Sequence, residues 1–266
     1  DGVIVADSVG LGKTWIGKKL MEDYAYHQRM KAIVICPASL KKMWENELHM
    51  ASISARVITQ ENLASDKFDV RGVGDVDVVL VDEAHNFRNK GSKRYMQLEA
   101  ILAANGRRGK GGGRKKLILL TATPINNNIF DLYNQINLFA GNDPTYFASA
   151  GIGDLYNYFL AARRESAEQG TIRIFNLLEE VVIRRTRQFI RKAYPNATIK
   201  GELINWSQRQ LHTVEYDLEA AYAGFYKQIV RRIDGLHLAH YSIEQYNKQQ
   251  SNDNEFQFEL GRQQAL

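Results

Sequence analysis

The chain has 266 residues, 44% of them hydrophobic, enough for one large domain or two small ones with a sizeable core. No apolar run approaches the ~18 residues of a membrane span, no signal peptide opens the chain, and the one cysteine, Cys36, has no partner for an internal disulfide. A reducing, cytoplasmic setting is the expectation. The net charge of +5 is concentrated rather than spread: residues 106–116 hold six basic residues and no acidic one, and the other 29 basic residues face 30 acidic ones.

Residues 2–7 read as a buried strand, ending in a loop at 8–12. Residues 13–28 read as a helix, and residues 32–36 as a short apolar strand stopped by Pro37. Ser39 is placed to cap a helix through Met50, with Leu40, Met43, Trp44 and Leu48 on one face. A strand is expected at 56–58, another at 77–81, a helix at 93–104 and a strand at 116–121. Uninterrupted apolar strands alternating with helices indicate a parallel sheet covered on both faces.

After Phe139 helical periodicity dominates, with two or three helices over 154–194. Leu218, Tyr222, Phe225, Tyr226, Ile229 and Ile233 follow helical spacing, as core or as a partner-facing surface. From Ser251 the chain is polar and rich in Gln and Asn. Asp1 is not an initiator residue and stands two residues before the first apolar run, so the chain reads as an excerpt of a longer protein.

Two segments carry chemistry. Ser8, Val9, Gly10, Leu11, Gly12, Lys13 and Thr14 follow an apolar strand and precede a helix. Glycines let backbone amides wrap an anion, and the helix N-terminus faces it with partial positive charge. Lys13 is then the side chain that reaches the β- and γ-phosphates, and Thr14 offers a hydroxyl to Mg²⁺. The strict phosphate-loop pattern has glycine at position 7, where this chain has Asp7. Further on, Val78-Val79-Leu80-Val81 runs into Asp82-Glu83 at a strand end, the edge where open α/β sheets bind ligands. Two adjacent carboxylates divide the labour: Asp82 to the metal, Glu83 to orient and deprotonate the attacking water. His85 is open to a structural role or to one bridging this site to its neighbours. Thr121 and Thr123, in Thr121-Ala122-Thr123-Pro124, are placed to hydrogen-bond the acidic pair or His85, or simply to end a strand.

These segments, in this order, resemble the Swi/Snf-like helicase-type ATPases of helicase superfamily two. Ala6 to Thr14 looks like the family's first motif, in which an aspartate at position 7 is normal. Ile35-Cys36-Pro37-Ala38-Ser39-Leu40, followed by Trp44, is similar to its next motif, which touches the nucleic-acid backbone. Asp82-Glu83-Ala84-His85 matches its second motif, and Leu120 to Pro124 with Asn126-Asn127 its third. Ile183-Arg184-Arg185-Thr186 resembles the Arg-Arg-Thr segment where the first lobe gives way to the second. Asn86-Phe87-Arg88-Asn89 looks more bacterial than eukaryotic.

The resemblance implies an α/β, RecA-like lobe at 1–140, a helical insertion and Arg-Arg-Thr segment at 141–200, and a helical connector at 201–266. It implies ATP and Mg²⁺ as cofactors, and double-stranded DNA and a second RecA-like lobe of the same parent chain as partners. That second lobe supplies an arginine to the site. An RNA-directed helicase and a non-hydrolytic ATP-dependent switch are the alternatives. Pro37 and Ser39 become candidate DNA-phosphate contacts, as do Arg184 and Arg185, which alternatively pack against the first lobe.

The basic loop is either a solvated connection or a phosphate-binding arm. If it is an arm, neutralising its six charges flattens the salt dependence of DNA binding. An unchanged slope in a salt titration leaves it a connection.

Overall fold

The computed structural model describes residues 2–104, 115–125, 128–199, 201–203 and 210–236. The basic loop up to Arg114, Asn126-Asn127 and the polar tail lie outside the described residues. The chain divides into two compact units, residues 1–203 and 204–266.

The first unit is built on six strands: β1 (Gly2–Val5), β2 (Ala32–Cys36), β3 (Ala55–Thr59), β4 (Val78–Val81), β5 (Lys116–Leu120) and β6 (Val182–Ile183). Their order is β3-β2-β4-β5-β1-β6, and every neighbouring pair is parallel. The doubly covered α/β sheet expected from the apolar runs is therefore the sheet seen. Helices α1 (Lys13–Met21), α2 (Lys41–Met50), α3 (Gln60–Leu63), α4 (Lys93–Ala103), α5 (Ile129–Ala140), α6 (Leu155–Arg164), α7 (Ala167–Val181) and α8 (Arg187–Ala193) accompany it.

Strand alternation sorts the core into two layers. Val78 and Leu80, with Val34, Cys36 and Leu120, face α1 and α2, where Met21, Trp44 and Leu48 are buried. Val79 and Val81, with Ile33, Ile35 and Leu119, face the opposite layer, filled by Tyr95, Leu98 and Ile101 of α4, Leu132 and Ile136 of α5, Phe159 of α6 and Leu177 of α7. Residues 141–181 thus share a core with the sheet. Burial pushes the Cys36 thiol up to about 12, with the Asp82 charge as the next cause, so it stays protonated at neutral pH.

Local signals explain most helix starts. Ser92, Asp154, Ser166 and Thr186 each accept a backbone N–H from the first turn of α4, α6, α7 and α8. Asn128 and Asp131 form a capping box at α5, which ends on Gly141 at φ +66°. Ser39 does not cap. After Pro37 the chain tightens into a 3₁₀ turn over Ala38–Leu40, α2 starts at Lys41, and no side chain caps either element. The first helix is shorter than expected too: α1 stops at Met21 and continues as a π-turn over Glu22–His27. Helix α5 and the two-residue β6 carry too little separate signal to be read from sequence.

In the second unit the described residues include α9 (Leu218–Ala221) and α10 (Phe225–Asp234), separated by Gly224 at φ +79°. Phe225, Tyr226, Ile229 and Ile233 of α10 are exposed, so the aromatic row is a surface rather than a core.

Candidate functional site

Parallel strands bring their C-terminal ends to one edge of the sheet. The loop after β1, the acidic pair after β4 and Thr121 after β5 therefore share that edge, with β5 between the other two. Two strand spacings place the backbones of β1 and β4 ~10 Å apart.

The loop has the backbone its glycines promise. Gly10 sits at φ +81° and Gly12 at φ +79°, Gly12 forming the N-terminal boundary of α1. Lys13 Nζ donates to the Asp7 carbonyl at 2.9 Å, which folds the side chain back over the loop. Helix α1 sits close to the sheet: a Cβ on Gly17 would lie 2.9–3.0 Å from the side chains of Leu120, Leu80 and Trp44, so any larger residue there must push them aside.

Asp82 is buried at the end of β4, and each carboxylate oxygen has a donor. Trp44 Nε1 of α2 donates to Oδ2 at 2.9 Å, and the Glu83 amide donates to Oδ1 at 2.9 Å. Gln60 Nε2 donates to the Asp82 carbonyl at 2.8 Å, and Gln60 Oε1 in turn accepts from Asn86 Nδ2 at 2.9 Å. Two donors thus hold the carboxylate, Trp44 Nε1 and the Glu83 amide, while Gln60 holds the backbone carbonyl behind it.

Glu83 occupies the left-handed region, at φ +51° and ψ +49°. For a residue with a β-carbon this conformation is held against its preference at ~1–3 kcal/mol. It turns the Glu83 side chain out of the core, leaving it 39% exposed beside the buried Asp82. His85 Nδ1 lies 3.2 Å from Glu83 Oε2 but lacks hydrogen-bond alignment, and among the described residues it has no other partner. His85 is therefore directed at the acidic pair.

Thr121 is fully buried. Its amide donates to the Val5 carbonyl at 3.0 Å, and its hydroxyl accepts from the Thr123 amide at 3.2 Å. Among the described residues no hydrogen bond joins it to Asp82, Glu83 or His85, so the expected direct link is absent; Thr123 is exposed.

The turn after β2 also differs from expectation. Pro37 has no N–H, and the Ala38 amide donates to Glu61 Oε2 at 3.0 Å, so a carboxylate already occupies one of the turn's donors. Ser39 is exposed. Arg184 is exposed, and Arg185 reaches the Asp7 carboxylate, with its Nε 3.2 and 3.0 Å from Oδ1 and Oδ2. The contact present is with the first lobe, through Asp7, and the Arg185 side chain is still 41% exposed.

Trp44 and Gln60 were not singled out by chemistry in the sequence. An indole N–H on an otherwise apolar helix face was the available signal for Trp44. Gln60 gave none.

Among the described residues no three His, Cys, Asp or Glu side chains gather as a metal cage. That fits Mg²⁺ arriving with a nucleotide, which needs one or two protein oxygens and takes the rest from phosphates and water. The glycine cradle, the lysine and one buried carboxylate on a common edge suit that partner.

A parallel sheet with a phosphate loop after one strand and an acidic pair two strands away defines a P-loop nucleotide-binding domain. The chain belongs to the SNF2-related domain family, whose model matches residues 52–256. It is similar to the "Uncharacterized ATP-dependent helicase YqhH" of Bacillus subtilis (strain 168), 26% identical over 253 residues that cover 88% of this chain and 40% of that protein. It is also similar to the mouse (Mus musculus) SWI/SNF-related matrix-associated actin-dependent regulator of chromatin subfamily A containing DEAD/H box 1. There the identity is 24% over 271 residues, with 88% of this chain and 24% of that protein covered. Among solved structures it matches the Sulfolobus solfataricus SWI2/SNF2 ATPase core in complex with dsDNA, with a TM-score of 0.52 and 21% identity over 70% of this chain and 40% of that one. The chain spans at most 40% of the length of these relatives.

Proposed function

We propose that this chain is the ATP-binding first lobe of an ATP-dependent double-stranded DNA translocase. The observation that carries the reading is the common sheet edge, which sets the Gly10–Gly12 loop and the Asp82-Glu83 pair on either side of β5 in a chain of the SNF2-related family. One solved structure that the chain resembles is a SWI2/SNF2 ATPase core in complex with dsDNA, which supports DNA as the partner.

In this reading the amides of residues 8–14 and Lys13 grip the triphosphate, with Lys13 leaving the Asp7 carbonyl to do so. Thr14 and Asp82 would hold Mg²⁺, which would supply positive charge to the phosphate oxygens. Glu83, exposed beside Asp82, orients a water and takes its proton. His85 is the neighbour through which Glu83 senses adjacent segments. Arg184 faces solvent, free to meet a DNA phosphate; at the Pro37-Ser39 turn the exposed Ser39 is the contact, because Glu61 takes the Ala38 amide.

Duplex-DNA-stimulated ATP hydrolysis by the parent protein tests the reading. Stimulation by RNA but not duplex DNA would replace the substrate, and ATP binding without hydrolysis under any nucleic acid would make the chain a switch. We also propose that the second lobe of the parent supplies the completing arginine. The 266-residue chain by itself then turns over ATP roughly 10³–10⁵-fold more slowly than the parent protein. Brisk DNA-stimulated turnover by the chain alone would remove the need for that arginine.

A further inference from the structure

Asp7 puts a carboxylate into the loop where the strict pattern has an uncharged glycine. Its side chain is 1% exposed, so water does not screen it. Left bare, that charge would stand beside the loop offered to an anion.

The structure pairs it. Arg185 Nε lies 3.2 and 3.0 Å from the two Asp7 oxygens, Arg185 Nη2 lies 2.5 Å from Oδ2, and the Arg185 backbone amide donates to Oδ1 at 2.8 Å. The backbones interlock as well: the Ser8 amide donates to the Arg185 carbonyl at 3.1 Å and the Ala6 amide to the Ile183 carbonyl at 2.8 Å. Arg187 Nη2 donates to the Val9 carbonyl at 3.0 Å and lies 2.8 Å from where a Gly10 Cβ would be. Residues 183–187 therefore bind the first half of the loop from across 178 residues of chain. Hydrogen bonding to Asp7 holds the Arg185 guanidinium still more firmly protonated.

We propose that Arg185 is a positioning residue for nucleotide binding, acting by masking the buried Asp7 charge so that an acidic phosphate loop can accept a polyphosphate. The inference rests on the nucleotide-binding reading above. Arg185 does not touch the nucleotide in this scheme; it acts through Asp7.

The test is equilibrium binding of fluorescent ATP and ADP to the 266-residue chain, with thermal melts of each variant. R185Q should weaken ATP roughly tenfold and ADP less, because repulsion grows with ligand charge. The double variant D7N/R185Q removes both charges and should recover most of the ATP affinity. Equal ATP and ADP losses in R185Q, no loss, or a double variant as weak as R185Q would each overturn charge masking. R185K keeps the charge and loses the fork, so it decides the matter if R185Q does not fold. ATP binding by R185K within about threefold of the unsubstituted chain supports the inference, and a loss of about tenfold overturns it. Failure of the unsubstituted chain to bind either nucleotide would overturn the nucleotide reading and this inference with it, an outcome distinct from the others.

Discussion

Glu83→Gln in the parent protein should retain ATP binding and lower DNA-stimulated ATP turnover by roughly 10²–10⁴-fold, the range for loss of a positioned general base. The substitution keeps the side chain's length and its hydrogen-bonding reach and removes only its basicity. It leaves the buried shell untouched, because the contacts that hold Asp82 come from Trp44, Gln60 and the Glu83 backbone amide rather than from the Glu83 carboxylate. The left-handed backbone at position 83 costs glutamine no more than glutamate. A nucleotide-binding assay run beside a phosphate-release assay separates the two functions. Undiminished turnover would show that the base lies elsewhere, and loss of both functions would show that the change reached the loop or the Asp82 carboxylate.

Trp44→Ala is expected to be the most damaging single truncation, costing ~3–5 kcal/mol of stability. The indole is fully buried between α2 and the sheet, with its ring edge near Gly17 of the phosphate-loop helix. Truncation leaves a cavity and also strips Asp82 Oδ2 of its donor, at a cost of ~1–3 kcal/mol for a buried polar group left bare. Trp44→Phe separates these effects. It keeps most of the ring volume, so most of the stability should survive in chemical denaturation, while the Asp82 carboxylate loses its fixed orientation. The Mg²⁺ concentration needed for half-maximal ATP turnover in the parent protein should then rise. A Trp44→Phe variant with an unchanged Mg²⁺ requirement would reduce Trp44 to a packing residue.

The helices of the first lobe show where sequence reading succeeds and where it stops. Ser92 and Thr186 cap helices at the positions that their side chains favour, and β2, β4 and all of β5 after Lys116 are unbroken apolar runs. Ser39 has the same local chemistry but no helix to cap, because Pro37 sets a 3₁₀ turn that delays α2 until Lys41. Strand β6 has two residues and exists because β1 offers an edge at Ile4 and Val5. The Pro37-Ser39 turn looked open for a phosphate, yet Glu61 arrives from 23 residues away to take an amide.

What the sequence determined by itself is the inventory and order of the site. The glycines at 10 and 12, Lys13, Thr14, Asp82 and Glu83 each lie beside a strand end that is written in adjacent residues, and parallel strands must present those ends on one edge. Tertiary structure alone decided which groups hold the site in shape: Arg185 on Asp7, Trp44 on Asp82, Gln60 on the Asp82 carbonyl. Those partners stand 178, 38 and 22 residues away. Period and propensity act over a few neighbouring residues, whereas the need of a buried carboxylate for a donor is met by whatever side chain the packed sheet brings within reach.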